Sequence, residues 1–569
     1  MRVVGQSAVP TIILALIAHQ IFRRHETYYI SVHASLLFGV PAGVVLALCW
    51  GSHPANALHI GLEVFKTYLI TLGISVAVYR VSPWHPLARF PGPYLRRISH
   101  FVSACIYIPG NRSRHFAALH RQYGDVVRTG PNELCIVDPS MIPHILGVPG
   151  VPKGPIWVGG SLSYKTLPLV GIADTEEHML RRRAWNRGLA PPALREYEVV
   201  TASRAKQLVQ RLQEQVGEMN LGDWMNRFTY DFMSDMAFGG GSELLNDGDK
   251  DNMWTTISDA MKIAMFLGHV PWLGVYLGYI PPAVSQLKRL LSRGEELAAQ
   301  RLARGSTTRD LFHYLNNEDL PDKEPAPRRQ LIDDGVLAVV AGSDTTSIVL
   351  TSTFYCVLTN PDAYEELQAE IDRHFPQGDD PYITQHHRNM PYLQAVINEA
   401  LRLFPPVPGG TERRVPQHGE PVIAGSLRIP PGTSIFMPPW VLHRDARNFT
   451  FPTSFWPERW LIASGQLSLE KARLPSSIRS PWAQAGDQGA IHPVDFVHNE
   501  SAYIPFSYGP MNCPGKGLAL MELRMVVTAV FQRFKIRLRE GWDPSEYDSG
   551  FKDYFNATRP ELPVTLERR

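Results

Sequence analysis

Phe506-Ser507-Tyr508-Gly509-Pro510-Met511-Asn512-Cys513-Pro514-Gly515 is the stretch whose chemistry decides what kind of chain this is. One cysteine stands in a Gly/Pro loop just before an apolar helical run, Gly517 to Phe534. A thiolate in that position meets backbone N–H groups and the positive end of a helix dipole, which lower its pKa. Gly509 and Gly515 permit a tight turn and the close approach of a flat ligand to the backbone. Phe506 can screen the sulfur from water. A lone cysteine is more often a small buried hydrophobe. The FxxGxxxCxG spacing argues otherwise, because loop, screen and helix start all serve one axial thiolate.

Three further clusters lie upstream. Ala341-Gly342-Ser343-Asp344-Thr345-Thr346 interrupts a long apolar helical run with five consecutive polar residues, Ser343 to Ser347, which are poor helix formers. Gly342 would leave room for something to lie against the helix, and Asp344 and Thr345 offer an acid and a hydroxyl for proton delivery; the plainer alternative is a cap that starts a new helix. Glu399-Ala400-Leu401-Arg402 holds an i,i+3 ion pair set among Val396, Ile397, Leu401 and Leu403, with Arg459 of Phe455-Trp456-Pro457-Glu458-Arg459-Trp460 as a third partner. His178 and Arg182 stand one helical turn apart in EEHMLRRRAWNRGL and share a face suited to an anion; a solvated basic face is the alternative. Arg181, Arg183 and Arg187 are expected to point outward.

The 569 residues carry 56 Lys+Arg against 54 Asp+Glu, a formal charge of +2, with 44% apolar and 19% charged residues. That balance excludes a disordered chain and gives no basic excess to drive nucleic-acid binding. Five cysteines without a CxxC pair argue against a disulfide framework or a structural zinc cluster. Apolar residues concentrate at the front, in runs at 9–22, 32–50 and 58–79. Arg23 and Arg24 follow the first run, GSHPANA after the second has no Lys or Arg, and Arg80 and Arg89 follow the third. The positive-inside rule then predicts a luminal N-terminus and a cytosolic body. Residues 1–82 are read as a membrane anchor with up to three spans, 83–93 as a proline-rich hinge, and 94–569 as one large domain.

In that body, DVVRTGPNELCIVD (Asp125 to Asp138) reads as a strand pair broken at Gly130-Pro131. Glu176 to Leu189, Glu196 to Glu218, Met225 to Phe238, Leu287 to Arg304, Gln330 to Leu358, Pro391 to Phe404 and Gly517 to Phe534 read as helices. The fold class is mostly α with small β-sheets.

The order and spacing of these clusters resemble the membrane-bound cytochromes P-450, haem-thiolate monooxygenases of fungal microsomal type, from Pro91 to the C-terminus. The resemblance implies the cytochrome P-450 fold, with Cys513 as the axial ligand of haem b. It implies Thr345 and Asp344 as the proton-delivery pair, and Glu399, Arg402 and Arg459 as a buried structural triad. Arg182, His178 (where the family often has Trp) and Arg413 are implied haem-propionate contacts. The family commonly has Arg or His where this chain has Met511, so one contact is missing, with Arg182, Arg413 or His443 as replacements. The segment Leu461 to Glu500 is longer than expected. The resemblance further implies O2 as co-substrate, electrons from NADPH through a membrane-bound reductase, and an endoplasmic-reticulum location with the catalytic domain cytosolic. Arg181, Arg183, Arg187 and Lys516 are the candidate reductase patch. A hydrophobic substrate, a terpenoid-like secondary metabolite, would be held by Ser161 to Pro168, Met261 to Tyr279, Val339 to Ser343 and Val407 to Gly410. Two other readings stay open: a haem-thiolate isomerase or dehydratase, and a membrane haem- or lipid-binding protein without catalysis.

Overall fold

A single 31-residue helix, Arg328–Leu358, organises the body in the computed structural model, which describes residues 2–50, 57–161, 167–305, 308–475 and 496–569. In chain order the helices that matter for the site are α1 (Arg2–Arg24), α2 (Ile30–Cys49, with a π-helical turn at Ser35–Gly39) and α3 (Ala57–Val81), then α4 (Ile156–Gly160), α5 (Thr175–Gly188), α6 (Leu221–Phe238), α7 (Met253–His269) and α8 (Pro271–Leu277). The long helix is α9, followed by α10 (Pro391–Leu403) and α11 (Lys516–Arg533).

The strands are short. β1 (Val126–Gly130) and β2 (Glu133–Ile136) form the expected antiparallel pair, and β2 runs parallel to β7 (Ser434–Phe436), which pairs with β4 (Arg413–Arg414). β3 (Glu218–Asn220), β8 (Phe534–Leu538) and β11 (Pro563–Arg568) make a three-stranded sheet. β5 (Val422–Ala424) and β6 (Leu427–Ile429) form one hairpin; β9 (Lys552–Tyr554) and β10 (Asn556–Thr558) form another.

The polar interruption in α9 does not start a new helix. Its hydroxyls bond back along the same helix, Ser343 Oγ to Val339 O and Thr345 Oγ1 to Ala341 O, both at 2.6 Å. The break falls between two hydrophobic cores. Leu331, Ile332 and Ala338 to Val340 pack with α5, α6 and α7, whereas Ile348 to Val357 pack with α10 and α11. The polar residues therefore interrupt the apolar pattern where neither core needs them.

At the front, α2 and α3 are long and apolar enough to cross a membrane, as is α9, but α9 is two-thirds buried inside the body and its apolar length serves the core. The described part of α1 does not reach that hydropathy. It packs instead through Ala15 and Ala18 against Tyr68 and Leu72 of α3. The proline-rich stretch after α3 packs on the body: Leu87 and Phe90 are buried against the four-stranded sheet, and Arg128 N donates to Pro91 O at 2.7 Å.

Candidate functional site

The cysteine loop is built by its glycine and by backbone hydrogen bonds. Gly509 has φ +72°, and a Cβ there would collide with Leu146 O, so both conformation and space demand glycine. Ser507 N donates to Ile504 O, Asn512 N to Gly509 O and Cys513 N to Phe506 O, which fold the loop back over the start of α11. Gly515 is less constrained, with a hypothetical Cβ meeting only Cys513 Sγ at 3.9 Å. The sulfur accepts hydrogen bonds from the N–H groups of Gly515 and Lys516, and the Arg182 and Lys153 charges favour the thiolate. Burial outweighs these terms and pushes the thiol up rather than down, so the sequence expectation of a lowered pKa holds for each contribution but not for their sum.

Cys513 is enclosed by protein yet exposed to an internal cavity of about 370 Å³. Phe506, Met511, Asn512 and Gly515 surround it on the loop side, and Ala341, Gly342, Thr345 and Thr346 face the same space from α9. Ala341 is exposed although it sits mid-helix, because its side chain looks into this space. Most of the lining is apolar: Trp157, Leu169, Met233, Met261, Ala264, Leu337, Val340 and Phe555 among others. Of the segments expected to hold substrate, Ser161, Pro168, Met261, Val340 to Gly342, Val407 and Gly410 line the cavity, while 162–166 lie outside the described residues. So do 476–495 of the long segment before the cysteine loop.

One edge of the cavity is cationic. Arg182 donates to Asn512 O at 2.6 Å and to Asn512 Oδ1 at 2.8 Å. Arg413 reaches Met511 Sδ at 2.8 Å, leaving its Nε and one terminal nitrogen buried without a partner. His178 bonds Leu169 O through Nδ1 at 3.1 Å, while Nε2 is buried and unpaired. Lys153, which sequence reading missed, is buried at the same edge and bridges to Arg413 through the backbone. Burial and then the Arg413 and Arg182 charges pull its pKa down to about 7. No carboxylate among the described residues pairs with Lys153, Arg182 or Arg413. Three buried cations and an imidazole without an anion are unfavourable alone. They suit a ligand that brings carboxylates, as haem does. The signal available beforehand was a lysine in the loop leading to α4, but nothing local distinguished it from a solvated one.

His443, offered as a replacement contact, is elsewhere. Its Nδ1 meets Arg402 O at 3.2 Å and its Nε2 accepts from Ile504 N at 3.0 Å, so both nitrogens are used and neither faces the cavity. Arg181 and Arg187 do not point outward as expected. Arg181 pairs with buried Asp334 at 2.8 Å and Arg187 with Asp319 at 2.7 Å; Arg183 and Lys516 remain exposed. What approaches Gly342 is Met233 of α6, whose sulfur would lie 2.5 Å from a Cβ.

Asp344 is not part of the lining. Its Oδ2 accepts from Asn556 Nδ2 at 2.7 Å, and Asn556, at the β9–β10 hairpin, does face the cavity. Burial holds the Asp344 carboxyl up at about 6, moderated by Asn556 and Arg559. Glu522 of α11 is a second unanticipated acid: it lines the cavity, its Oε2 has no partner, and burial alone raises it well above the carboxylate range.

Away from the cavity, Glu399, Arg402 and Arg459 come together with no solvent exposure. Arg402 makes two bonds to Glu399 at 2.7 and 2.9 Å, Arg459 one at 3.0 Å, and Trp456 N and Trp460 Nε1 complete the carboxylate. The guanidinium groups spend their remaining protons on the carbonyls of His443, Pro452, Ser454, Thr450 and Phe451. Despite burial, Glu399 falls to about 2, chiefly through the two arginines.

The cytochrome P450 family model matches residues 93–564. Cytochrome P450 monooxygenase notG' of Aspergillus versicolor is 31% identical, covering 98% of this chain and 97% of its own. Tryprostatin B 6-hydroxylase of Neosartorya fischeri is 29% identical over 96% and 95%, and cytochrome P450 monooxygenase aba2 of Botryotinia fuckeliana 28% identical over 89% and 95%.

Proposed function

Because the chain belongs to the cytochrome P450 family of monooxygenases, we propose that it oxygenates a hydrophobic secondary metabolite with haem held between Cys513 and α9. Haem iron with a thiolate ligand supplies the activation of O2. Cys513 would hold the iron, and Lys153, Arg182, Arg413 and His178 the carboxylate edge. The observation that carries this reading is the set of buried, unpartnered nitrogens beside the only cysteine that opens onto the cavity among the described residues. Lys153, at the same edge, would supply a cation that position 511 does not.

The remaining chemistry belongs to protein side chains. Thr345 Oγ1 stands at the cavity surface and can turn from Ala341 O to hold a proton toward the cavity. Asp344, kept protonated into the weakly acidic range and oriented by Asn556, is the adjacent proton store. The apolar walls from Trp157, Met261, Ala264 and Val340 exclude water and favour an uncharged substrate. The kinship with a named tryprostatin B 6-hydroxylase supports hydroxylation as the outcome; a terpenoid-like substrate is the expectation we retain for this chain. Electrons would come from NADPH through a membrane-bound reductase, docking near exposed Arg183 and Lys516 on the cysteine side. The anchor would hold the protein at the endoplasmic reticulum.

Two variants test this reading. Cys513→Ser should remove the thiolate-type Soret band of the reduced, carbon-monoxide-treated protein while the polypeptide still folds; a band that persists unchanged refutes the ligand assignment. Thr345→Ala should keep that band but divert NADPH into hydrogen peroxide. An unchanged ratio of product to NADPH would refute its proton role.

A further inference from the structure

The segment running from the end of α1 through the first turn of α2 touches the body at two places distant in sequence. Glu26 Oε2 lies 2.6 Å from the Arg414 guanidinium, and Tyr28 Oη donates to Glu26 Oε1 at 3.0 Å, fixing that carboxylate. His33 Nδ1 hydrogen-bonds the Tyr276 hydroxyl, and the two rings are 5.8 Å apart. The His25 ring lies 6.2 Å from that of His418, and Arg23 sits over Tyr79 of α3, 4.2 Å from the ring centre.

Both attachment points adjoin the cavity. Arg414 follows Arg413 on β4, and its N–H donates to Pro152 O, one residue before Lys153. Tyr276 is on α8, which meets α4 backbone to backbone: a Cβ on Gly274 would strike Gly159 O, and one on Gly159 would come within 3.1 Å of Pro271 Cα. Trp157 and Gly160 of α4 line the cavity.

We propose that residues 23–33 form a clasp by which the anchor grips the body at β4 and α8, so that the two move as one unit with the cationic edge and the α4 wall fixed relative to the bilayer. The contacts are polar and paired, opposite in charge at Glu26 and Arg414, and they place the linker on the body's side of the membrane, in accord with the Arg23-Arg24 charge pattern. This inference does not depend on what the cavity binds.

Cysteine cross-linking of the full-length chain in microsomes tests it, with Cys49 and Cys105 replaced by serine. The pair Glu26→Cys/Arg414→Cys and, independently, His33→Cys/Tyr276→Cys should form disulfides at least tenfold faster than the control Glu26→Cys/Arg537→Cys, in protein that keeps its carbon-monoxide spectrum. The charge swap Glu26→Arg/Arg414→Glu should restore protection of the linker from protease that Glu26→Arg alone loses. Both pairs cross-linking no faster than the control, in protein with an intact spectrum, would overturn the clasp.

Discussion

Two buried arginine clusters in this molecule have similar chemistry and opposite accounts. Around Glu399, each guanidinium is turned toward a carboxylate or backbone carbonyls and all three side chains are wholly shielded. At the cavity edge, Lys153, Arg182 and Arg413 have no carboxylate partner among the described residues, and Arg413 and His178 retain buried nitrogens that bond to none of them. Removing one partner from a satisfied network strands the others, whereas an unsatisfied cluster already carries that cost and is relieved by a ligand. Around Glu399 the donors are already matched within the fold, whereas at the cavity edge donors are left that a bound carboxylate would satisfy.

Glu399→Gln leaves two buried guanidinium groups uncompensated and should destabilise the fold by about 3–5 kcal/mol, read as loss of soluble expression or a lowered thermal midpoint. A near-neutral result would remove the distinction. Arg413→Met should do the reverse: the haem-free polypeptide keeps its stability to within about 1 kcal/mol while haem retention falls about tenfold. Equal loss of both would make Arg413 another structural arginine.

Asp344 is an intermediate case, an acid with one good partner. Its carboxyl sits at about 6 in the folded chain against about 3.9 unfolded, so the folded state binds more protons in between and stability falls as pH rises through that window. Asp344→Asn should remove about 1 kcal/mol of that fall between pH 5 and pH 7, measured by denaturation at the two values. An unaltered slope would show that Asp344 does not titrate there.

How much was legible beforehand follows the same division. The helices around Met225, Gln330, Pro391 and Gly517, and the Asp125 to Asp138 strand pair, were readable because periodicity and turn residues are local. Cys513 and the Glu399 pair were visible because their chemistry is packed into ten residues or fewer. Lys153, Asn556 and Glu522 were not, since each becomes notable only when distant segments meet at the cavity. His443, Arg181 and Arg187 were misjudged for a related reason: sequence gives a residue's type and helical face but not which carbonyl or carboxylate arrives opposite. The N-terminal region shows both outcomes: two helices long and apolar enough to cross a membrane were legible from hydropathy, but the contacts of Glu26 with Arg414 and of His33 with Tyr276 were invisible across hundreds of residues.

On this reading the cations at the cavity edge would hold the carboxylates of haem. Apoprotein reconstituted with haem and with its dimethyl ester, in which both carboxylates are uncharged, measures this directly through the rate at which each is lost to a haem acceptor. We expect the native protein to keep haem at least about tenfold longer than the ester, and Lys153→Met to narrow that gap. Equal retention of haem and ester by the native protein would contradict the account.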